Sequence, residues 1–385
     1  MRILFINYEY PPLGGGGGIE TQDLAQELAP HHQVYVLTTG YQDLPSKELK
    51  NGVSIYRVPV LGRTDLPTAT LISLITFFPA AFFYGLFLIP KIRPQVINAH
   101  FAVPSGLPAA FLAKIFKIPL VLTLIGGDIY DPSKGISPHR HAIMRWTIRR
   151  IMHCADRLTA ISHDTKERAI RYYQAGEGIE VIPLGFVPPI EPSLEVKKEE
   201  NEVLGEKPLR FATIGRLVPR KGYFDLLRSF AQINDKNAVL DIMGDGPLLL
   251  EMKEEISKLG INERVVLHGR VSDQKKYEIL KQADIYVSAS HHEGFGICFL
   301  EAMYAGLPII APNIGGQSDF LVLGRNALIV AVSDLEKITK AMNQLVEDTE
   351  LRKAIGENNK RDVEKYLIQN TAKSYELIFE DIIPA

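Results

Sequence analysis

Short apolar runs recur along the chain at strand length (ILFIN, VYVLT, VIN, LVLT, LTAI, EVIPL), and the stretches between them are amphipathic. Runs without polar alternation mark strands buried on both faces, so residues 1–187 predict βαβ units around a parallel sheet. A second series (LRFATI, VLDIM, VVLHG, DIYVSAS, LPIIAP, ALIVA) fills residues 209–365, with helices expected at Tyr223–Ile233, Leu248–Leu259 and Gln274–Lys281. Residues 188–208 exchange periodic apolar positions for prolines and charges, the composition of an exposed linker. Beyond Val330 the pattern stays helical to Ile383, opened by a capping box of Ser333 and Glu336. The fold class is α/β, two doubly wound Rossmann-like domains. Ligands of such sheets bind outside the carboxyl ends of the strands, so the chemistry is expected in loops that follow strands, in a cleft between the two domains.

Composition narrows the function. A net charge of -2 provides no global field for nucleic acid, so no nucleic-acid partner is expected and an anionic ligand must be held locally. Cys154 and Cys298 are the only cysteines, too few for a disulfide framework or a zinc site, and the N-terminus reads as a buried strand rather than a signal peptide. The expected location is cytoplasmic. One segment departs from the ordinary pattern: Leu66 to Ile89 has no charged side chain, is expected to be interrupted at Pro67 and Pro79, and is followed by Lys91 and Arg93. It reads as a transmembrane helix, as a helix buried on the sheet, or as an interfacial segment over residues 66–93 with its cations beside phospholipid headgroups on the inner face of the membrane.

Three loops carry candidate chemistry. Gly14 to Gly18 follow the first strand and precede a helix near Ile19, where bare amides and the positive helix end suit an anion, though a flexible surface loop has the same composition. Arg216, Arg220 and Lys221 occupy the loop after ATI; a guanidinium fork and a mobile ammonium suit a diphosphate, while a solvated basic loop is the plainer reading. In SHHEGFGICFLEAMYAG, Glu293 precedes the turn of Gly294, Phe295 and Gly296, and the following helix carries Glu301 in an apolar neighbourhood where a carboxylate needs a partner. Carboxylates beside a phosphate-binding helix start suit a sugar diphosphate.

In this order, and over nearly the whole chain, these elements resemble glycosyltransferase family 4, retaining enzymes of the GT-B fold. The resemblance implies that Glu293 contacts the transferred sugar and Glu301 the donor ribose. It implies that Arg216 and Lys221 hold the diphosphate and assist catalysis, and that amides at Gly294, Phe295 and Gly296 hold the phosphate and sugar. Gly17 and Gly18 resemble the family's N-terminal glycine pair, and residues 366–385 are expected to form a helix that packs back on the first domain. The substrates implied are a UDP- or GDP-linked hexose-type sugar, a substrate rather than a cofactor, and a glycan or lipid-linked acceptor. No Asp-x-Asp motif occurs, so the mechanism is expected to need no metal.

Two positions depart from the family. Ile125 stands where many members have His, and Leu184-Gly185-Phe186-Val187 replaces an Asn-Gly-Val-Asp pattern. His100 matches a family His and reads equally as a structural strand-end residue; Asp128 is a candidate in the same cleft. Two other classes stay open: a non-catalytic sugar-nucleotide or polysaccharide-binding scaffold, which Ile125 favours, and a nicotinamide-dependent dehydrogenase, which lacks its acidic residue after the second strand.

Overall fold

The structure, a computed structural model, describes residues 1–66, 69–132, 135–189 and 207–384. Pro67 and most of the linker expected at 188–208 lie outside the described residues. The chain divides into two units, Met1–Gly185 with Tyr366–Ala385, and Phe186–Lys365.

The first unit runs β1 (Arg2–Ile6), α1 (Gly16–Leu28), β2 (Gln33–Thr39), β3 (Lys47–Lys50), β4 (Val53–Val58), α2 (Leu71–Ile92), β5 (Val96–His100), α3 (Gly106–Phe116), β6 (Leu120–Leu124), α4 (Ala142–Cys154), β7 (Arg157–Ala160), α5 (His163–Tyr173) and β8 (Glu180–Val181). Its sheet has the order β3-β4-β2-β1-β5-β6-β7-β8. It is parallel except at β3, which runs antiparallel to β4. The KELK sequence of β3 has no apolar run to announce it, and its charges suit an edge that must not pair with another chain.

The second unit runs β9 (Arg210–Ile214), α6 (Tyr223–Ala231), β10 (Val239–Met243), α7 (Leu249–Lys258), β11 (Val265–Gly269), α8 (Asp273–Gln282), β12 (Ile285–Val287), α9 (Ile297–Tyr304), β13 (Ile309–Pro312), β14 (Ala327–Val330), α10 (Leu335–Glu347) and α11 (Thr349–Asp362). Its sheet is parallel throughout, ordered β11-β10-β9-β12-β13-β14. Strand order reverses between β1 and β5 in the first sheet and between β9 and β12 in the second. Loops leaving those paired strand ends diverge and open a crevice there.

The last helix, α12 (Ile368–Ile382), belongs to the first unit. It shares a core with α1 on one face of the sheet, while α2 to α5 cover the other face. Tyr375 Oη lies 3.1 Å from Thr123 Oγ1 at the sheet centre, and Thr371 Oγ1 donates to Pro183 O at 3.0 Å. The end of the chain is thereby stitched to the strands it covers.

Two expectations require correction. The cap of α10 is Asp334, whose carboxylate accepts the Lys337 amide at 3.0 Å, whereas Ser333 sits one residue outside with φ +57°. A carboxylate one position later takes over as the cap, and the orphan amide it satisfies moves with it from Glu336 to Lys337. Pro79 does not interrupt the apolar segment: α2 is continuous from Leu71 to Ile92, with Pro79 on its exposed side, where the bond lost is that to the Ile75 carbonyl. The inner side of α2, including Phe77, Ala81 and Leu88, is buried against the sheet.

Candidate active site

In the second unit the two loops that diverge at the switch point meet through their side chains. The loop after β9 delivers Arg220 and Lys221; the loop after β12 delivers Ser290, His292 and Glu293. Lys221 Nζ donates to Glu293 Oε1, Ser290 Oγ donates to the same oxygen at 2.9 Å, and Arg220 Nη1 lies 3.3 Å from Oε2. Arg220 Nη1 also donates to His292 O at 3.1 Å. Glu293 is 5% exposed. Burial pushes its carboxyl up, but the Lys221 and Arg220 charges, with hydrogen bonds from Lys221 and Ser290, outweigh burial and hold it below the usual range. Glu293 is therefore an anion in a cationic nest.

Glu301 is the opposite case. It projects from α9 at 9% exposure and pairs with Lys276 of α8 at 2.5 Å. Burial dominates and raises its carboxyl despite the Lys276 charge. Cys298, one turn before it, has its thiol pushed to about 11 by burial, with Lys221 opposing and both carboxylates adding to the rise. Arg216 is exposed and joins neither pair among the described residues.

The turn between the carboxylates is built for backbone approach. Gly296 starts α9 at φ +95°, and Phe295 is buried against Phe320 with ring centroids 5.1 Å apart, anchoring the loop by its side chain. The first amides of α9 have no carbonyl within their own helix, which leaves a positive end beside Gly294 and Gly296. A second glycine pair supports this turn from the loop after β13. Gly316 N donates to Glu293 O at 2.9 Å; a Cβ on Gly315 would lie 2.2 Å from Glu293 O, and one on Gly316 2.1 Å from Gly294 O. Lys276, Ser290 and this glycine pair escaped the sequence reading. The NIGG run after an apolar strand carried the signal for the glycines, but nothing local marks Lys276, which lies 25 residues before its partner.

In the first unit the expected residues gather at the other switch point. Gly17 lies in the first turn of α1, and a Cβ there would fall 2.3 Å from the Phe101 ring and 3.2 Å from Ile125. Gly18 is buried against the backbone of Glu9 and Leu13. The Gly15 amide donates to Glu9 Oε2 at 3.0 Å, so a carboxylate of the chain itself occupies the start of α1. His100 is fully buried beneath, its Nδ1 2.7 Å from Thr21 Oγ1 and 3.0 Å from Glu20 Oε2. Both carboxylate oxygens of Asp128 accept backbone amides, from Ala102 at 2.6 Å and Ile125 at 3.2 Å. Burial lifts the Asp128 carboxyl to about 6 against the backbone amides of Ala102, Asp128, Ile125 and Gly126. His100 and Asp128 thus brace the loops after β5 and β6 from within.

Comparisons with known proteins give the family and the fold. The glycosyl transferase 4-like domain model matches residues 15–185, and the model described as glycosyl transferases group 1 matches residues 196–362. An uncharacterised glycosyltransferase of Methanocaldococcus jannaschii is 30% identical across 97% of this chain and 96% of its own. N-acetyl-alpha-D-glucosaminyl L-malate synthase of Bacillus anthracis is 27% identical across 97% and 96%. Sucrose-phosphate synthase from Thermosynechococcus elongatus has the same fold, with a TM-score of 0.84 at 19% identity over 99% of both chains. Anabaena Alr3699/HepE in complex with UDP gives 0.79 at 18% identity over 99% of this chain and 100% of its own. Two Rossmann-like domains of the GT-B type, both domain models and a relative matched end to end lead to one conclusion: the chain belongs to the glycosyl transferases group 1 family.

Proposed function

We propose that this glycosyltransferase moves a hexose-type sugar from a UDP- or GDP-linked donor to a glycan or lipid-linked acceptor, with retention at the anomeric carbon and without a metal. The observation that carries this is the Lys221–Glu293 pair at the switch point beside the start of α9. It puts a mobile cation, helix amides and sugar-directed carboxylates within one loop cluster. On this reading Lys221, Arg216 and the α9 amides stabilise the diphosphate as its bond to the anomeric carbon breaks. Glu293 holds the transferred sugar, Glu301 the ribose, and Gly17 and Gly18 the phosphate side of the acceptor site. The acceptor hydroxyl attacks from the face the diphosphate leaves, and a leaving phosphate oxygen takes its proton. The donor is a substrate, and no cofactor is required. A lipid-linked acceptor would place the enzyme on the cytoplasmic side of a membrane, in peripheral contact through residues 66–93.

Ile125, packed on Gly17 without a polar contact to offer a sugar, favours the second reading of a sugar-nucleotide-binding scaffold. A panel of UDP- and GDP-sugars, with nucleotide release followed with and without chelator, separates the two. Turnover of one donor unchanged by chelator supports transfer; binding without release from any donor supports the scaffold.

A further inference from the structure

The outer surface of α2, α3 and α4 in the first unit carries a pattern that sugar transfer does not use. These helices lie side by side over one face of the sheet, joined by Phe78 and Phe82 of α2 against Phe111 of α3 and by Gly106 of α3 against Ile151 of α4. A helix covering a sheet normally shows solvent a polar back. Along α2 the outward positions are Ile72, Ile75, Pro79, Phe83, Phe87 and Pro90, a stripe about 27 Å long at 1.5 Å per residue. Phe87 is 72% exposed. The stripe widens onto Phe111 and Ile115 of α3, and onto Ile143 and Trp146 of α4, which are 80% and 62% exposed.

Charge on this stretch is one-sided. Residues 66–155 contain nine lysines and arginines and two acids, Asp128 and Asp131, both buried. Lys91 and Arg93 end α2, Lys114 and Lys117 end α3, and Arg149 and Arg150 lie on α4, the latter 5.7 Å above the Trp146 ring. The opposite face, of α1 and α12, carries Asp23, Glu27, Glu376, Glu380 and Asp381 against Lys373. An apolar surface ringed by cations, whose three helices carry no acid and which meets exposed carboxylates only at its ends, Asp65 and Asp156, complements one environment, the boundary between acyl chains and acidic headgroups. Tryptophan and arginine belong there by their amphipathic shape. A spanning α2 would instead have to strip Phe77, Ala81 and Leu88 from the core, although its length and composition suffice to cross a bilayer.

We infer that the α2–α4 face docks on an anionic lipid bilayer, α2 and α3 lying in the interface and α4 adding Trp146 and its guanidinium groups. This deepens the reading of a lipid-linked acceptor and rests on it only for the purpose of the contact.

Trp146 is the single tryptophan of the chain and reports on the surface directly. The full chain is titrated with phosphatidylglycerol vesicles and with phosphatidylcholine vesicles while Trp146 emission is followed. A blue shift with the acidic vesicles, weakened by salt and at least about tenfold weaker with the neutral ones, is expected. Lys114→Ala with Arg149→Ala, on two different helices, is expected to lower partitioning about thirtyfold, since each cation contributes about fivefold at an acidic leaflet. Phe83→Ser with Phe87→Ser, checked for unchanged circular dichroism, is expected to abolish the shift. Absence of a shift, equal partitioning into both vesicles, wild-type partitioning of the charge variant, or a face buried by self-association in vesicle-free solution overturns the inference. Nucleotide release with a soluble acceptor is measured in parallel. Release without docking defeats the docking surface alone, and docking without release defeats the transfer reading alone.

Discussion

Lys221 and Glu293 form an ion pair across the topological switch point of the second sheet, with side chains 11% and 7% exposed. A diphosphate drawn to that ammonium competes with the carboxylate already on it. Glu293→Gln is therefore expected to bind UDP or GDP more tightly, by about tenfold, because a charge-assisted bond contributes about 1.5–3 kcal/mol. Turnover is expected to fall in the same variant. Isothermal titration decides, and weaker product binding would remove Lys221 from the diphosphate site.

Lys221→Ala is expected to lower kcat more than donor affinity, by about 3 kcal/mol in transition-state stabilisation, since leaving-group charge grows as the bond breaks. It also leaves a buried carboxylate with Arg220 and Ser290 alone, a loss of about 3 kcal/mol in unfolding free energy at the low end for a broken buried pair. Adding Glu293→Gln should restore stability and leave turnover low. Recovery of both together would show that Lys221 matters only as a structural counter-charge.

Glu301→Ala should raise the donor Michaelis constant about tenfold or more with kcat little changed, because a ribose contact exists in ground and transition states alike. Burial raises the Glu301 carboxyl, so donor affinity should fall on acidification sooner than for an ordinary glutamate. A defect confined to kcat would contradict that role.

Gly316→Ala sets a methyl 2.1 Å from Gly294 O, backbone against backbone, with no side chain free to yield. The variant should lose about 1–3 kcal/mol of stability and much of its donor affinity, as the turn before α9 shifts. Thermal unfolding and donor titration test this, and an unchanged melting temperature would mean the loop after β13 relaxes freely.

Asp128 binds its proton more tightly folded, near pH 6, than unfolded, near 3.8. Its contribution to stability is fully present below the unfolded value and is lost as pH rises through the folded one. Asp128→Asn cannot ionise, so its unfolding free energy relative to wild type should move in its favour by about 2.4 kcal/mol between pH 4 and pH 7.5. Any constant cost of the altered amide bonds cancels in that comparison. A difference flat with pH would mean that folding leaves the proton affinity of this carboxyl unchanged.

Strands with two buried faces were legible because burial itself selects their residues: ILFIN and DIYVSAS announce β1 and β12 without reference to anything distant. β3 was not, since an edge strand is chosen for what it avoids. Glu293 and Glu301 were legible by their setting around Gly294 and Gly296, but their counter-ions divide. Lys221 lay in a loop already suspect, whereas Lys276 is one of three lysines on α8 and only tertiary packing picks it out. His100 shows the limit of local reading: nothing in the residues around this strand-end histidine announces its contacts with Thr21 and Glu20.

The position of α12 bears on how the protein is made. Ile182 and Val121 share one core with Ile368, Tyr375 and Phe379, nearly two hundred residues later. During synthesis, everything from Phe186 to Lys365 leaves the ribosome before the helix that covers this side of the first sheet exists. The earlier unit must wait with that apolar side only partly covered, by α1, while the later one emerges. A message cut short just before Ile368 would release a chain whose second unit has all its strands and whose first has only α1 on that side, with the surface meant for Ile368, Tyr375 and Phe379 bare, a natural substrate for chaperones and proteases.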